Sequence, residues 1–286
     1  MEIRPLDDLP KFSPWPARLM GLAPWEPRVK TPAEIEREFG MEKWGGLLER
    51  FRATPGAGLA DVDSWAAGSA PALASVGEHL VLMTPEESHS AYLAYVANAL
   101  QPYSGGTALV ELGCGYGSVI LGLARRAEFA VSLANVPLFA ADYTLTGPEL
   151  AAAIAGREGI PLTAGRCDLT TSPATHLAVP EGAVVYTAYA AQYIEPVTTA
   201  LIEGITALRP KAVVHVEPVY EHCDDSTLLG LMRQRYIQAN GYNRNLVTIL
   251  HDHEARGAIE ILGESPAAFG PNPLLAASVI AWSPRG

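Results

Sequence analysis

The stretch Val110-Glu111-Leu112-Gly113-Cys114-Gly115-Tyr116-Gly117 constrains this chain more than any other. An apolar run, Thr107 to Leu112, leads into three glycines spaced two apart, and a helix-competent segment, Ser118 to Arg126, follows. The order is strand, tight turn, helix. In an α/β sheet that turn is where a nucleotide-like ligand is held. Glycine there removes the Cβ that would keep the backbone away from such a ligand.

The spacing narrows the ligand. A dinucleotide fingerprint, G-x-G-x-x-G, needs its third glycine at position 118, where this chain has Ser118. The acid Glu111 stands two residues before Gly113. A pyrophosphate gains nothing from a carboxylate there, whereas a ligand with a free ammonium group does. The pattern resembles motif I, E-x-G-x-G-x-G, of the class I S-adenosylmethionine (SAM) methyltransferases. Glu111, Gly113, Gly115 and Gly117 match it at every position. The resemblance covers about residues 107–284 and implies SAM as cofactor, with Cys114 inside the cofactor turn.

Composition bounds the rest. The 286 residues suffice for one α/β domain plus an extra segment, and 49% hydrophobic against 18% charged residues allow a sizeable core. A net charge of −11 repels polyanions, so no nucleic-acid partner is expected. The three cysteines, Cys114, Cys167 and Cys223, form no C-x-x-C and fit a reducing compartment. No apolar leader and no run of about 18 apolar residues is found, so the expectation is a cytoplasmic chain with no membrane partner.

Residues 1–30 are rich in Pro and Trp, which forbids a long helix there. Thr31-Pro32-Ala33-Glu34 and Thr84-Pro85-Glu86-Glu87 read as capping boxes. The first opens a helix that Gly40 stops; a second short helix carries Met41, Trp44, Leu47, Leu48 and Phe51; residues 53–75 read as a loop. From Thr107 strands alternate with helices. Strands are expected at 107–112, 138–142, 160–166, 183–187, 212–217, 245–251 and 277–282, and helices near 117–127, 147–157, 196–208 and 226–240. The expected fold is α/β: a seven-stranded, mostly parallel, doubly wound sheet of the Rossmann-like methyltransferase kind. Its division is an N-terminal helical cap over 1–83, serving as a substrate lid or a homodimer contact, and a SAM-binding domain over 84–286.

Asp142 ends the second expected strand, and a carboxylate there accepts from two ribose hydroxyls in the resembling family. Tyr143 would flank the adenine. Asp168, with Leu169, ends the third and would meet the adenine edge, or else Asp168 caps a helix. Ser88 and His89, on the helix before motif I, present a hydroxyl or imidazole to the cofactor carboxylate, or equally form an exposed helix face. Many family members carry Leu-Glu-His after the fourth strand; here Gln192 and Tyr193 hold the Glu and His places, which removes one acid/base pair.

The catalytic candidates are Glu217, His222 and Tyr189, near the ends of the fourth and fifth strands. Glu217 sits where the sheet opens to substrate, or forms a loop salt bridge; His222 is a general-base candidate, or a plain loop histidine. His215, between Val214 and Val216, reads as a buried structural residue. Tyr242-Asn243-Arg244-Asn245 orients a polar substrate or is turn chemistry. His251-Asp252-His253 lacks a further ligand at a recognisable spacing, so no metal is expected. The missing (Asp/Asn)-Pro-Pro-(Tyr/Phe) signature disfavours base-flipping DNA methylation. The expected function is methyl transfer from SAM to an O or N atom of a small molecule or peptide, in specialised-metabolite or peptide-modification biosynthesis. The alternatives are a non-catalytic SAM-binding scaffold and a nicotinamide-dependent oxidoreductase.

Overall fold

A computed structural model of the chain describes residues 2–26, 31–126, 136–171 and 177–285. Its strands are β1 (Glu2–Arg4), β2 (Ala72–Val76), β3 (His79–Met83), β4 (Leu109–Leu112) and β5 (Leu138–Asp142). They continue as β6 (Leu162–Arg166), β7 (Val184–Ala188), β8 (Ala212–Pro218), β9 (Ile259–Gly270) and β10 (Ala277–Pro284). All ten join one sheet in the order β1-β3-β2-β9-β10-β8-β7-β4-β5-β6.

The sheet is mixed, with ten strands in place of the seven expected; its last strand, β10, is antiparallel to β8, as the resemblance implies of the methyltransferase sheet. Only the block β8-β7-β4-β5-β6 pairs in parallel. The joins from β1 through β10 to β8 are antiparallel. Parallel neighbours need crossover connections, and helices serve this where Ser118–Arg125, Thr146–Glu158 and Thr199–Thr206 lie between strands. Elsewhere short turns suffice, as at Gly77-Glu78 between β2 and β3.

Three more expectations change. Residues 245–251 are helical, within Leu246–Ala255, because Leu246, Leu250 and His253 recur at helical spacing and are buried. Residues 53–75 hold a helix, Leu59–Ala67, and most of β2. Gly40 does not stop its helix: Pro32–Ile35 runs through a π-helical turn, Glu36–Gly45, into Gly46–Ala53. The segment 1–83 is therefore not a purely helical cap, since it also adds β1, β2 and β3 to the sheet. Both capping boxes form as expected. Position 127, the expected end of the helix after motif I, lies outside the described residues.

The core has a layer on each face of the parallel block. Leu109 packs with Ile120, Leu121, Leu150 and Val96, whereas Val110 and Leu112 pack with Ile202, Ile205, Val213 and Leu250. This alternation of period two puts Glu111 on the same face as Leu109, toward the helix Ser118–Arg125. His215 is buried, as its Val neighbours imply. Its Nε2 accepts from Trp282 Nε1 at 3.0 Å, so the ring proton sits on Nδ1, 2.9 Å from Thr187 Oγ1. Burial pushes its pKa down to about 4, so it stays neutral. No described helix is long and apolar enough to cross a membrane.

Candidate functional site

The chain runs β4, β5, β6 toward one edge and then returns to place β7 on the other side of β4. Such a switch point leaves a crevice beyond the strand ends. A cavity of about 760 Å³ opens there. That size is ordinary for a small-molecule site. Of the expected cofactor residues, Glu111, Gly113, Cys114, Gly115, Asp142, Tyr143, Asp168 and Leu169 line it together, and so does Tyr189. Ser88, Gly117, Glu217 and His222 are not among the lining residues.

The glycine turn is built as its sequence demands. Gly113, Gly115 and Gly117 have φ of 82°, 52° and 79°, in the left-handed region that disfavours a Cβ. They differ in what a Cβ would strike. At Gly113 it would collide with Ala190, and at Gly115 it would meet the Trp44 ring at 3.0 Å. At Gly117 it would meet Ala151 at 2.9 Å. Gly117 therefore serves helix packing, which corrects its assignment to the cofactor surface.

Asp142 anchors this turn. Its Oδ2 accepts from Gly115 N at 2.9 Å, and its Oδ1 accepts from Thr144 N and Thr144 Oγ1 at 2.9 and 2.8 Å. A carboxylate has about four acceptor directions, so one remains for a ligand. Asp168 makes a similar small turn, accepting from Thr170 N and Oγ1 at 2.9 and 2.6 Å. Tyr143 is flanked by Arg166, whose guanidinium lies 5.2 Å from the ring centre.

Glu111 is only 1% exposed, and its Oε2 accepts from Ile120 N at 3.0 Å. The expectation of a freely presented carboxylate is thus modified: the side chain forms part of the cavity wall while bracing the helix start. Burial pushes its pKa up to about 8, against the Tyr186 hydroxyl and the Ile120 N–H, which favour the ionised form.

The catalytic candidates separate. Glu217 is buried and accepts from Ala190 N and Ala191 N at 3.0 Å and from Gln192 N at 3.3 Å. It is neither a salt bridge nor an open base; it shapes the loop after β7. His222 leaves the site, because its Nε2 sits 2.7 Å from Glu264 Oε1 on β9. Tyr189 does face the cavity, but its hydroxyl donates to the Leu275 carbonyl, and burial raises its pKa well above the usual phenol value. It is a non-glycine residue at φ 54°, a strained conformation of the kind held at ligand sites.

Tyr242–Asn245 resolves as loop chemistry. Asn243 N donates to Gln192 O at 2.8 Å and Asn243 Nδ2 to Ile194 O at 2.9 Å, while Arg244 pairs with Glu195 at 2.8 Å. These bonds fasten the loop 192–197, which lines the cavity at Gln192–Pro196. His251 and His253 fall on different sides of their helix: His251 meets Glu264 at 2.9 Å, and His253 is buried.

The cap tryptophans were expected as a group in a partly aromatic pocket, and Trp44 is the one among the described lining residues; Phe39, Tyr92 and Asp63 were missed. Trp44 and Phe39 reach the cavity from the π-helical turn, whose Gly40 carbonyl accepts from Thr146 Oγ1 at 2.6 Å. A π turn re-aims side chains that an α-helix would direct elsewhere. Tyr92, one helical turn beyond Ser88, lines the cavity in its place. Asp63 accepts from Tyr116 Oη at 2.8 Å and Ser118 Oγ at 2.7 Å, and it pairs with His89 at 3.4 Å. Leu59, Val62 and Trp65, spaced by threes, were the available sign of that helix.

No family model and no curated protein matches this sequence. Solved structures do. One is magnesium protoporphyrin IX methyltransferase from Synechocystis PCC 6803 with bound S-adenosylhomocysteine (SAH). It is 13% identical, with a TM-score of 0.50 over 69% of this chain and 84% of that one. Another is geranyl diphosphate C-methyltransferase from Streptomyces coelicolor A3(2), 11% identical, with a TM-score of 0.47 over 70% and 82%. With the glycine turn at the switch point and the first of these similarities, the chain has the fold of the class I SAM-dependent methyltransferases.

Proposed function

We propose that the chain is a SAM-dependent methyltransferase acting on an oxygen or nitrogen atom of a small molecule or peptide. One observation carries the reading. The glycine turn opens on a cavity whose carboxyl lining is Glu111, Asp142, Asp168 and Glu195, the last paired with Arg244, with no Lys, Arg or His among the described lining residues. Such a wall favours a cationic ligand and opposes a pyrophosphate. When bound, SAM would supply a methyl group on a positively charged sulfur for in-line transfer to an acceptor lone pair, the C–S electron pair returning to sulfur and any N–H or O–H proton of the acceptor leaving to solvent water. Gly113 and Gly115, whose missing Cβ atoms make room for Ala190 and Trp44, would border the cofactor with their backbone, Asp142 would use its spare acceptor direction on the ribose, and Asp168 and Leu169 would border the adenine. Glu111 would face the ammonium group, and the loop Tyr189–Tyr193 would border the methyl. The chain's part in the chemistry is to orient the acceptor and exclude water.

Calorimetry with SAM and with NAD tests the reading. SAM is expected to bind and NAD not to bind. The reverse result would overturn the assignment, and SAM binding without SAH release on any acceptor would make the chain a scaffold. A second expectation follows from the geometry. His222→Ala should leave SAM affinity and turnover within about twofold, under ~0.5 kcal/mol, because only the contact with Glu264 is lost. A tenfold loss of turnover would return His222 to the site.

A further inference from the structure

Two residues of the cavity wall each hold a buried polar atom with no partner among the described residues. Gln192 is 4% exposed and Tyr92 8% exposed, both residues line the cavity, and Gln192 Oε1 and Tyr92 Oη, each buried just behind its surface, make no hydrogen bond among the described residues. The orientation of the Gln192 amide is determined. Its nitrogen lies 3.1 Å from the Tyr189 carbonyl, which only accepts, so that atom must be the NH₂ and the other the oxygen. A buried carbonyl oxygen left unpaired costs free energy, and the cost is relieved when a ligand donates to it.

The cavity lining that Gln192 shares with its chain neighbours Tyr193 and Ile194 is aromatic and apolar. Phe39 meets Tyr193 edge to face at 5.3 Å, Trp44 meets Tyr116 at 5.2 Å, and Ile35, Ile194 and Leu275 complete this side of the cavity. The polar adenosine-side residues Asp142, Thr144, Asp168 and Thr170 come from the loops at the ends of β5 and β6, whereas Gln192 comes from the loop after β7. The nearest lining acid on Gln192's own loop, Glu195, is taken by Arg244.

We infer that the acceptor subsite lies between Gln192 and the Phe39–Trp44 turn, and that it selects an uncharged, aromatic, hydrogen-bond-donating acceptor whose N–H or O–H donates to Gln192 Oε1. This rests on the methyltransferase reading above. A carboxylate or phosphate ester is disfavoured, because its negative charge would be desolvated among aromatic and apolar side chains with no described lining cation to pair it. An acceptor of the same shape without a donor leaves the amide oxygen unpaired, and sites built around a hydrogen bond discriminate strongly against such analogues.

Three probes separate these elements on the full chain loaded with SAH: indole, 1-methylindole and indole-3-acetate, titrated by calorimetry to about 5 mM. Indole is expected to bind about fivefold or more tighter than 1-methylindole, which lacks the donor, and about tenfold or more tighter than the anion. Gln192→Met, which keeps the length and loses the carbonyl, should erase the preference of indole over 1-methylindole. If that variant does not fold, the ranking on the unaltered chain decides. Failure of SAH to bind at all would defeat the methyltransferase reading itself. With SAH bound, absence of indole binding, or either other probe binding as tightly as indole, overturns the acceptor assignment and leaves the methyltransferase reading intact.

Discussion

Glu111→Gln is expected to make the protein more stable and a poorer SAM binder. The carboxyl's pKa is pushed from an ordinary 4.5 to about 8 by burial. Between those two values the folded chain keeps a proton that the unfolded chain has released. The stability contributed by this group therefore falls as pH rises through that window, by on the order of 3 kcal/mol at pH 7. Glutamine preserves an oxygen to accept from Ile120 N and has no proton to lose. Its melting temperature should exceed that of the unaltered chain by several degrees at pH 8, and the gain should nearly vanish at pH 5. An ammonium group near the carboxylate would favour its ionised form, so the same substitution should weaken SAM by about tenfold or more, the worth of a charge-assisted hydrogen bond. Melting curves at the two pH values and SAM titrations check both parts. A lower melting temperature at pH 8 would show that the carboxyl is not held protonated. Unchanged SAM affinity would leave Glu111 with only its role at the helix start.

Asp142→Ala is expected to damage the turn and the ligand site together. Three donors lose their acceptor at once: Gly115 N, Thr144 N and Thr144 Oγ1. One carboxyl group serves all three, so stability should fall by about 2–3 kcal/mol and SAM affinity by about 1–3 kcal/mol. Thr144→Ala separates the two roles. It removes one hydroxyl donor and leaves Asp142 on Gly115, so SAM affinity should change by less than about threefold. Denaturant titration and calorimetry on both variants give the result. If Asp142→Ala loses stability yet binds SAM normally, Asp142 belongs to the turn alone.

These two residues show how far the sequence reaches. The glycine spacing, the acid before it and the acids ending the next two strands lie within single elements, and all converge on one cavity. They were legible because a parallel block with its switch point forces those strand ends together. What each carboxylate does there was less legible. Glu111 was expected to meet a ligand and instead also braces Ile120 N. Only the packing of the helix Ser118–Arg125 over β4 creates that bond. Glu217 and His222 sit within six residues of each other, yet one is enclosed by the loop after β7 and the other is drawn to β9.

The run Leu246-Val247-Thr248-Ile249-Leu250 shows the limit for secondary structure. Its β-branched residues favour a strand, but burial of Leu246, Leu250 and His253 outweighs that weak preference. The strands of the first 83 residues were hidden for a related reason. β1 has three residues, and β2 and β3 five each. Segments so short carry little periodicity, and they gain stability by pairing with β9 and one another and by packing Leu73 and Leu80 against Leu9, Leu229 and Tyr236.

The amino-acid order alone determined the parallel block, the glycine turn and the two acids beside it, because local propensity and period-two burial act within a few residues. Only the tertiary structure decided that Trp44, Phe39, Tyr92 and Gln192 share one cavity, or that His222 stands apart from it. Those outcomes depend on how distant segments cross, and no local pattern of residues encodes a crossing.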